Sequence, residues 1–140
     1  FNISDLAYKI VSELSGGQQQ KVHIAGAMAQ EADLILLDEP TSNLDIYHQI
    51  ELMTMLKEYI SDKGVTLIAA VHDLNLACRF SDSLLLMKDG KIETEGSPDE
   101  VINSGNMGVL YNVETEIIEA RGCKQVIPIS CLPANKVLHD

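Results

Sequence analysis

Basic side chains are scarce in this sequence. Ten Lys and Arg stand against 21 Asp and Glu, a net charge of −11 over 140 residues. The deficit is even, with 4 basic and 10 acidic groups in residues 1–70 and 6 and 11 in residues 71–140. No basic face offsets phosphate repulsion along a nucleic acid, so DNA and RNA are disfavoured as partners. An anionic ligand would have to be held by backbone N–H groups, helix N-termini or a metal ion. The three cysteines, Cys78, Cys123 and Cys131, are odd in number with no CxxC pair. They fit reduced, cytosolic thiols, most of them filling core space. His23, His48 and His139 form no metal-ligand spacing with them. Long apolar runs are missing too. The longest, such as Val65–Val71 and Leu84–Met87, fall far short of a bilayer span. There is no signal peptide, repeat or low-complexity tract, and Phe1 falls inside what reads as a helix, which predicts a piece of a longer chain. What remains is ordinary: 46% hydrophobic and 22% charged residues, enough for a buried core.

Ser15–Gln30 has helical periodicity, with Val22, Ala25 and Ala29 on one face and Ile24 and Met28 beside it. Two glycines weaken a helix interior but suit its start, so Ser15-Gly16-Gly17 marks the opening. Residues 2–13 read as the tail of an earlier helix and a connection. Leu34–Leu37 is a continuous apolar run ending in Asp38-Glu39-Pro40, which predicts a strand covered on both faces. Ile46, Ile50, Met53, Leu56 and Ile60 recur at helical spacing, and Gly64 stops that helix after Lys63. A second buried strand, Val65–Val71, ends in His72-Asp73. A short helix over Leu74–Phe80 returns to a third apolar strand, Leu84–Met87. Asp89-Gly90 predicts a hairpin turn into Lys91–Glu95. Ser97-Pro98-Asp99-Glu100 supplies an N-cap, a first-turn proline and a closing glutamate for a helix to about Asn103, which Gly105-Asn106-Met107-Gly108 breaks. Strands over Glu114–Glu119 and Lys124–Ile129 flank a turn at Arg121-Gly122, and the last residues read as loose. This order is α/β with a mostly parallel sheet, and ligands in such sheets bind at the carboxyl ends of the strands.

Three features carry chemistry. Asp38 and Glu39 lie at the mouth of a buried strand, where the first can hold Mg²⁺ and the second can orient or deprotonate an attacking water. Leu14-Ser15-Gly16-Gly17-Gln18 opens a helix, where glycines let a phosphate approach bare N–H groups and the helix dipole favours the anion. His72, just past a strand, can hydrogen-bond a phosphate oxygen and steady the water. Each alone has a plainer reading: a solvated strand end, an ordinary N-cap, a structural histidine.

Together, LSGGQ, LILLDEP, Ser42-Asn43-Leu44-Asp45 and Val71-His72-Asp73, in this order, resemble the ATP-binding-cassette ATPases. The resemblance covers about Leu6 to Tyr111. It implies the P-loop NTPase fold of that family, with helices on both sheet faces and C-terminal β hairpins. Leu14–Gln18 would be the signature motif, Leu34–Glu39 the Walker B strand, Ser42–Asp45 the D-loop and His72 the switch histidine. It implies ATP and Mg²⁺ as ligands, with Asp38 on the metal and Glu39 and His72 catalytic. Ser15, Gly16, Gly17, Gln18 and Asp45 would meet nucleotide in a head-to-tail homodimer. It further implies transmembrane permease subunits as partners at the cytoplasmic membrane face, and a substrate-binding protein indirectly. Residues 1–112 would be the C-terminal part of the nucleotide-binding domain and 113–140 a strand appendage and tail. The softer blocks Asp45–Glu51, His72–Ala77, Phe80-Ser81-Asp82, Gly96–Val101 and Tyr111-Asn112-Val113 resemble importer ATPases for iron-siderophore complexes, haem and vitamin B12.

The sequence also departs from that family. No two of its nine glycines are five apart, so GxxxxGK[ST] does not occur, and no Q-loop glutamine is identifiable before Leu14. That predicts a C-terminal fragment that does not hydrolyse ATP alone. Gln19 and Gln20 stand where basic residues are usual, and Gly26 sits in the signature helix, where a glycine costs about 1 kcal/mol relative to alanine. Two alternatives stay open: a non-transport member of the superfamily, acting in iron–sulfur assembly, repair or translation, and a non-catalytic interaction module with an exposed sheet edge.

Overall fold

The computed structural model describes residues 3–133, and these divide into two compact units between His72 and Asp73. The loose tail expected at the C-terminus, His139 and the helical start at Phe1 lie outside the described residues. Residues 4–6 and 11–13 form two short 3-10 turns rather than the tail of an α-helix.

In the first unit, α1 spans Gly16–Met28, β1 Leu34–Asp38, α2 Ile46–Lys63 and β2 Thr66–Ala70. Ser15 caps α1 as expected. Ile24 and Met28 are its buried residues, so the inward face lies beside the Val22–Ala25–Ala29 stripe. In α2 the core residues are Leu52, Met53 and Leu56, while Ile46 at the helix start stays exposed. The Tyr59 hydroxyl donates to the Met28 carbonyl at 3.0 Å and fastens α2 to the end of α1. Gly64 ends α2 at φ 68°, the left-handed stop that glycine adopts without strain.

β1 and β2 pair in parallel, Leu34 opposite Thr66 through Asp38 opposite Ala70. Ile35 is buried, but Leu36 is 68% exposed, and Leu34 and Ile68 are half exposed. The strand expected to be covered on both faces is covered on one among the described residues. A period-2 strand sends alternate side chains to opposite sides, and only one side has a neighbour here.

In the second unit, α3 spans Leu74–Phe80, β3 Leu84–Lys88, β4 Lys91–Gly96, α4 Pro98–Val101, α5 Ser104–Tyr111, β5 Val113–Ala120 and β6 Cys123–Cys131. β3 pairs with β4 antiparallel, and β5 with β6. Parallel pairing among the described strands is therefore confined to β1 and β2. Both hairpins close on two left-handed residues, Asp89-Gly90 and Arg121-Gly122, which matches strand twist. The core gathers Cys78, Leu86, Val101, Ile102, Met107 and Val126. The expected break at 105–108 is instead helix α5. Asn103 caps it by accepting from the Asn106 N–H, and fully buried Met107 outweighs two poor helix formers. The outer edge of β6 is blunted: the Val126 N–H donates to Asn75 Oδ1, and Pro128 has no N–H.

Candidate functional site

Parallel register sets the first cluster. Because β1 and β2 run together, their carboxyl ends meet, and residues 33 apart in sequence become neighbours. The Glu39 N–H donates to the Ala70 carbonyl at 3.0 Å, extending the ladder by one residue. Glu39 then takes a left-handed φ of 45°, uncommon for a side chain with a Cβ, and the chain turns away. The Ser42 N–H closes that turn on the Glu39 carbonyl at 3.0 Å. Glu39 Oε1 comes to lie 2.6 Å from His72 Nε2, a hydrogen bond whose donor depends on the imidazole tautomer. Both groups face solvent, with 84% of the His72 side chain and 47% of Glu39 exposed. Asp38 is exposed at the last position of β1.

The second cluster is the start of α1. The Gln18 N–H donates to Ser15 Oγ at 3.3 Å, and the Ser15 N–H donates to Gln18 Oε1 at 3.1 Å. The reciprocal box uses two of the donors a helix start leaves orphaned. The amides of Gly16 and Gly17 keep no acceptor among the described residues, and nothing stands within 4 Å of where a Gly16 Cβ would be. Two bare N–H groups at the positive end of a 13-residue helix suit an anion. A Cβ at Gly17 would sit 2.9 Å from Leu44 Cδ2, so this glycine packs against the segment 42–45.

The structure thus brings Glu39 and His72 together, with Asp38 adjacent, and brings Ser15, Gly16, Gly17 and Gln18 together. No hydrogen bond joins the two clusters directly. Asp45 belongs to neither. It caps α2, its Oδ1 accepting from the His48 N–H at 2.9 Å and lying 2.8 Å from His48 Nδ1. The backbone N–H bond is the chief reason its carboxyl sits below the usual range, with the His48 ring adding to it.

Three glutamines carry contacts that their types do not announce. Gln19 Nε2 donates to the Leu14 carbonyl at 3.0 Å, Gln20 Nε2 to the Pro40 carbonyl at 3.3 Å and Gln49 Nε2 to the Thr41 carbonyl at 3.3 Å. Lys21 pairs with Glu51 at 2.5 Å and holds its carboxyl below the ordinary range. Gln19 and Gln20, departures from the usual basic pattern, are anchors. Gln20 stands one turn before buried Ile24, and that spacing is the sequence signal for an inward-facing amide. Of the thiols, Cys78 is buried, and burial pushes it up. Cys131 is exposed and fills no core.

Comparison with known proteins bears on the same residues. The sequence profile of the ABC transporter family matches residues 1–42. The ferric enterobactin transport ATP-binding protein of Escherichia coli K12 is 43% identical over 129 residues, which cover 91% of this chain and 48% of that protein. An ABC transporter ATP-binding protein of Methanocaldococcus jannaschii is 44% identical over 128 residues, covering 91% of this chain and 50% of its own length. The chain thus spans about half the length of the curated relatives it matches. Among solved structures, an inward-facing metal-chelate type ABC transporter superposes with a TM-score of 0.81 at 28% identity, covering 91% of this chain and 53% of that one. With the glycine-led helix and the paired strand ends in place, the chain resembles the ATP-binding subunits of ABC transporters over 91% of its length.

Proposed function

We propose that the chain supplies the signature, Walker B, D-loop and switch elements of the ATP-hydrolysing subunit of an importer for an iron-siderophore, haem or cobalamin-type substrate. The 2.6 Å contact between Glu39 and His72 at the carboxyl ends of two parallel strands carries this reading. His72 holds one carboxylate oxygen of Glu39, and the second stays free to take a proton from an attacking water. Asp38 is the metal ligand. No group of three or more His, Cys, Asp or Glu side chains among the described residues could cage an ion. That donor set fits Mg²⁺, which is bound through one or two carboxylates and otherwise keeps water and phosphate oxygens. When bound, the ion neutralises charge on the phosphates.

The bare amides of Gly16 and Gly17, with Ser15 and Gln18, hold the γ-phosphate of a nucleotide seated on a second subunit in a head-to-tail homodimer. Asp45 and its neighbours cross the dimer interface. The β- and γ-phosphates need a P-loop that these 140 residues do not contain, so the chain alone does not hydrolyse ATP. Transmembrane permease subunits take up the motion at the cytoplasmic membrane face, and a substrate-binding protein delivers the cargo. No described helix is long and apolar enough to cross a membrane itself.

The test is a chimera in which this chain replaces the matching segment of the Escherichia coli ferric enterobactin subunit. Glu39→Gln is expected to lower its ATP hydrolysis by about 100-fold or more, the scale of a lost general base. Hydrolysis at the parent rate would reject the assignment.

A second reading, a non-catalytic interaction module, is favoured by the exposed strand face of Leu34, Leu36 and Ile68. It predicts a self-associated species in size-exclusion chromatography, and a clean monomer counts against it.

A further inference from the structure

We infer that Gln20 and Gln49 are positioning residues that aim Glu39 at His72. Three observations converge on the segment after β1. Glu39 holds a left-handed φ of 45° that its Cβ disfavours, so something beyond its own turn must fix it. The next two carbonyls, of Pro40 and Thr41, each accept from a partly buried glutamine amide at 3.3 Å, one from α1 and the other from α2. Pro40 and Thr41 are themselves buried, so their carbonyls gain more from a protein donor than solvated ones would. The two helices therefore grip successive peptide groups directly downstream of Glu39, and the backbone they hold sets where the carboxylate points.

Gln20 also lies on the helix that begins with the bare amides of Gly16 and Gly17. A shift of α1 would pull on the Pro40 carbonyl, which makes Gln20 a mechanical link between the two clusters. Leu44 against Gly17 is a second contact along the same route. The link rests on the reading of Glu39 as a base only for its use in hydrolysis; the aiming itself is independent of it.

The test uses the 140-residue chain, labelled with ¹⁵N. Gln20→Met keeps the side-chain bulk and removes the donor. The imidazole Nε2 signal of His72 is expected to move at least half-way to its position in Glu39→Ala, where the contact is gone. The Ser42 amide, which closes the turn on Glu39, is expected to exchange about fivefold faster, the effect of losing one hydrogen bond of ordinary strength. Gln19→Met removes a bond of the same kind to the Leu14 carbonyl and leaves both readouts unchanged. Should Gln20→Met not fold, Gln49→Met tests the same grip at the next carbonyl. Wild-type His72 and Ser42 signals in a folded variant would overturn the inference. Failure of the Glu39→Gln chimera test with these signals shifted would instead reject the catalytic reading and leave the aiming intact.

Discussion

The chain carries two capping boxes built on the same plan with opposite electrostatics. Ser15-Gly16-Gly17-Gln18 opens α1 and Ser97-Pro98-Asp99-Glu100 opens α4, and in each the serine is hydrogen-bonded to the third helical residue, Ser15 Oγ accepting from the Gln18 N–H and Ser97 donating its N–H and hydroxyl to the Glu100 carboxylate. At α4 a proline removes one N–H, and Asp99 and Glu100 place carboxylates on the positive end of the helix. The Ser97 side chain, then its backbone N–H, holds the Glu100 carboxyl below its ordinary value of 4.5. At α1 the closing residue is a neutral glutamine, and two glycines leave their amides bare. One box satisfies its helix with its own acids, whereas the other leaves room for an external anion.

Converting one box toward the other is the sharpest way to break this contrast. Gln18→Glu keeps the reciprocal bonds but puts a carboxylate beside the Gly16 and Gly17 amides. It is expected to stabilise α1 by about 0.3–1 kcal/mol while lowering hydrolysis of the chimera at least about tenfold. A thermal melt and a phosphate-release assay check the two halves.

At the other box, Ser97→Ala removes the hydroxyl that donates to the Glu100 carboxylate at 2.7 Å and is expected to lower the midpoint of urea unfolding. It should also flatten the acid limb. Because the folded pKa of Glu100 is depressed, its contribution is present above the ordinary glutamate value and lost as pH falls through the depressed one. Melts repeated from pH 6 to pH 3 should show a smaller decline in the variant.

The smallest effects compare glycines. Gly26→Ala meets nothing within 4 Å and is expected to stabilise by about 0.5–1 kcal/mol. Gly17→Ala displaces Leu44 and should gain less. Chemical denaturation of both variants orders them.

Much of this was legible in the sequence because it is local. Ser15 and Ser97 announced their helices, Gly64 its stop, and Asp89-Gly90 and Arg121-Gly122 their hairpins, each through backbone chemistry within four residues. The acidic end of β1 and the histidine after β2 were legible as strand ends. Their 2.6 Å contact follows from parallel register, which is a tertiary fact. The helix across Gly105 and Gly108 was not legible, because burial of Met107 reverses a local preference. Nor was the aim of Gln20 and Gln49, since a glutamine on a helix looks the same whether it meets water or a distant carbonyl. Asp45 read as an interface residue, and its cap on α2 shows only once the helix start is fixed.

In the proposed dimer the two clusters act on one nucleotide from different protomers. The direct measurement mixes two inactive chimeras, one carrying Gly17→Asp and the other Glu39→Gln. A mixed dimer then holds one intact composite site, with Glu39 from the first protomer and Gly17 from the second. ATP hydrolysis is expected in the mixture that neither variant shows alone. A mixture that forms dimers yet stays inactive would contradict that arrangement.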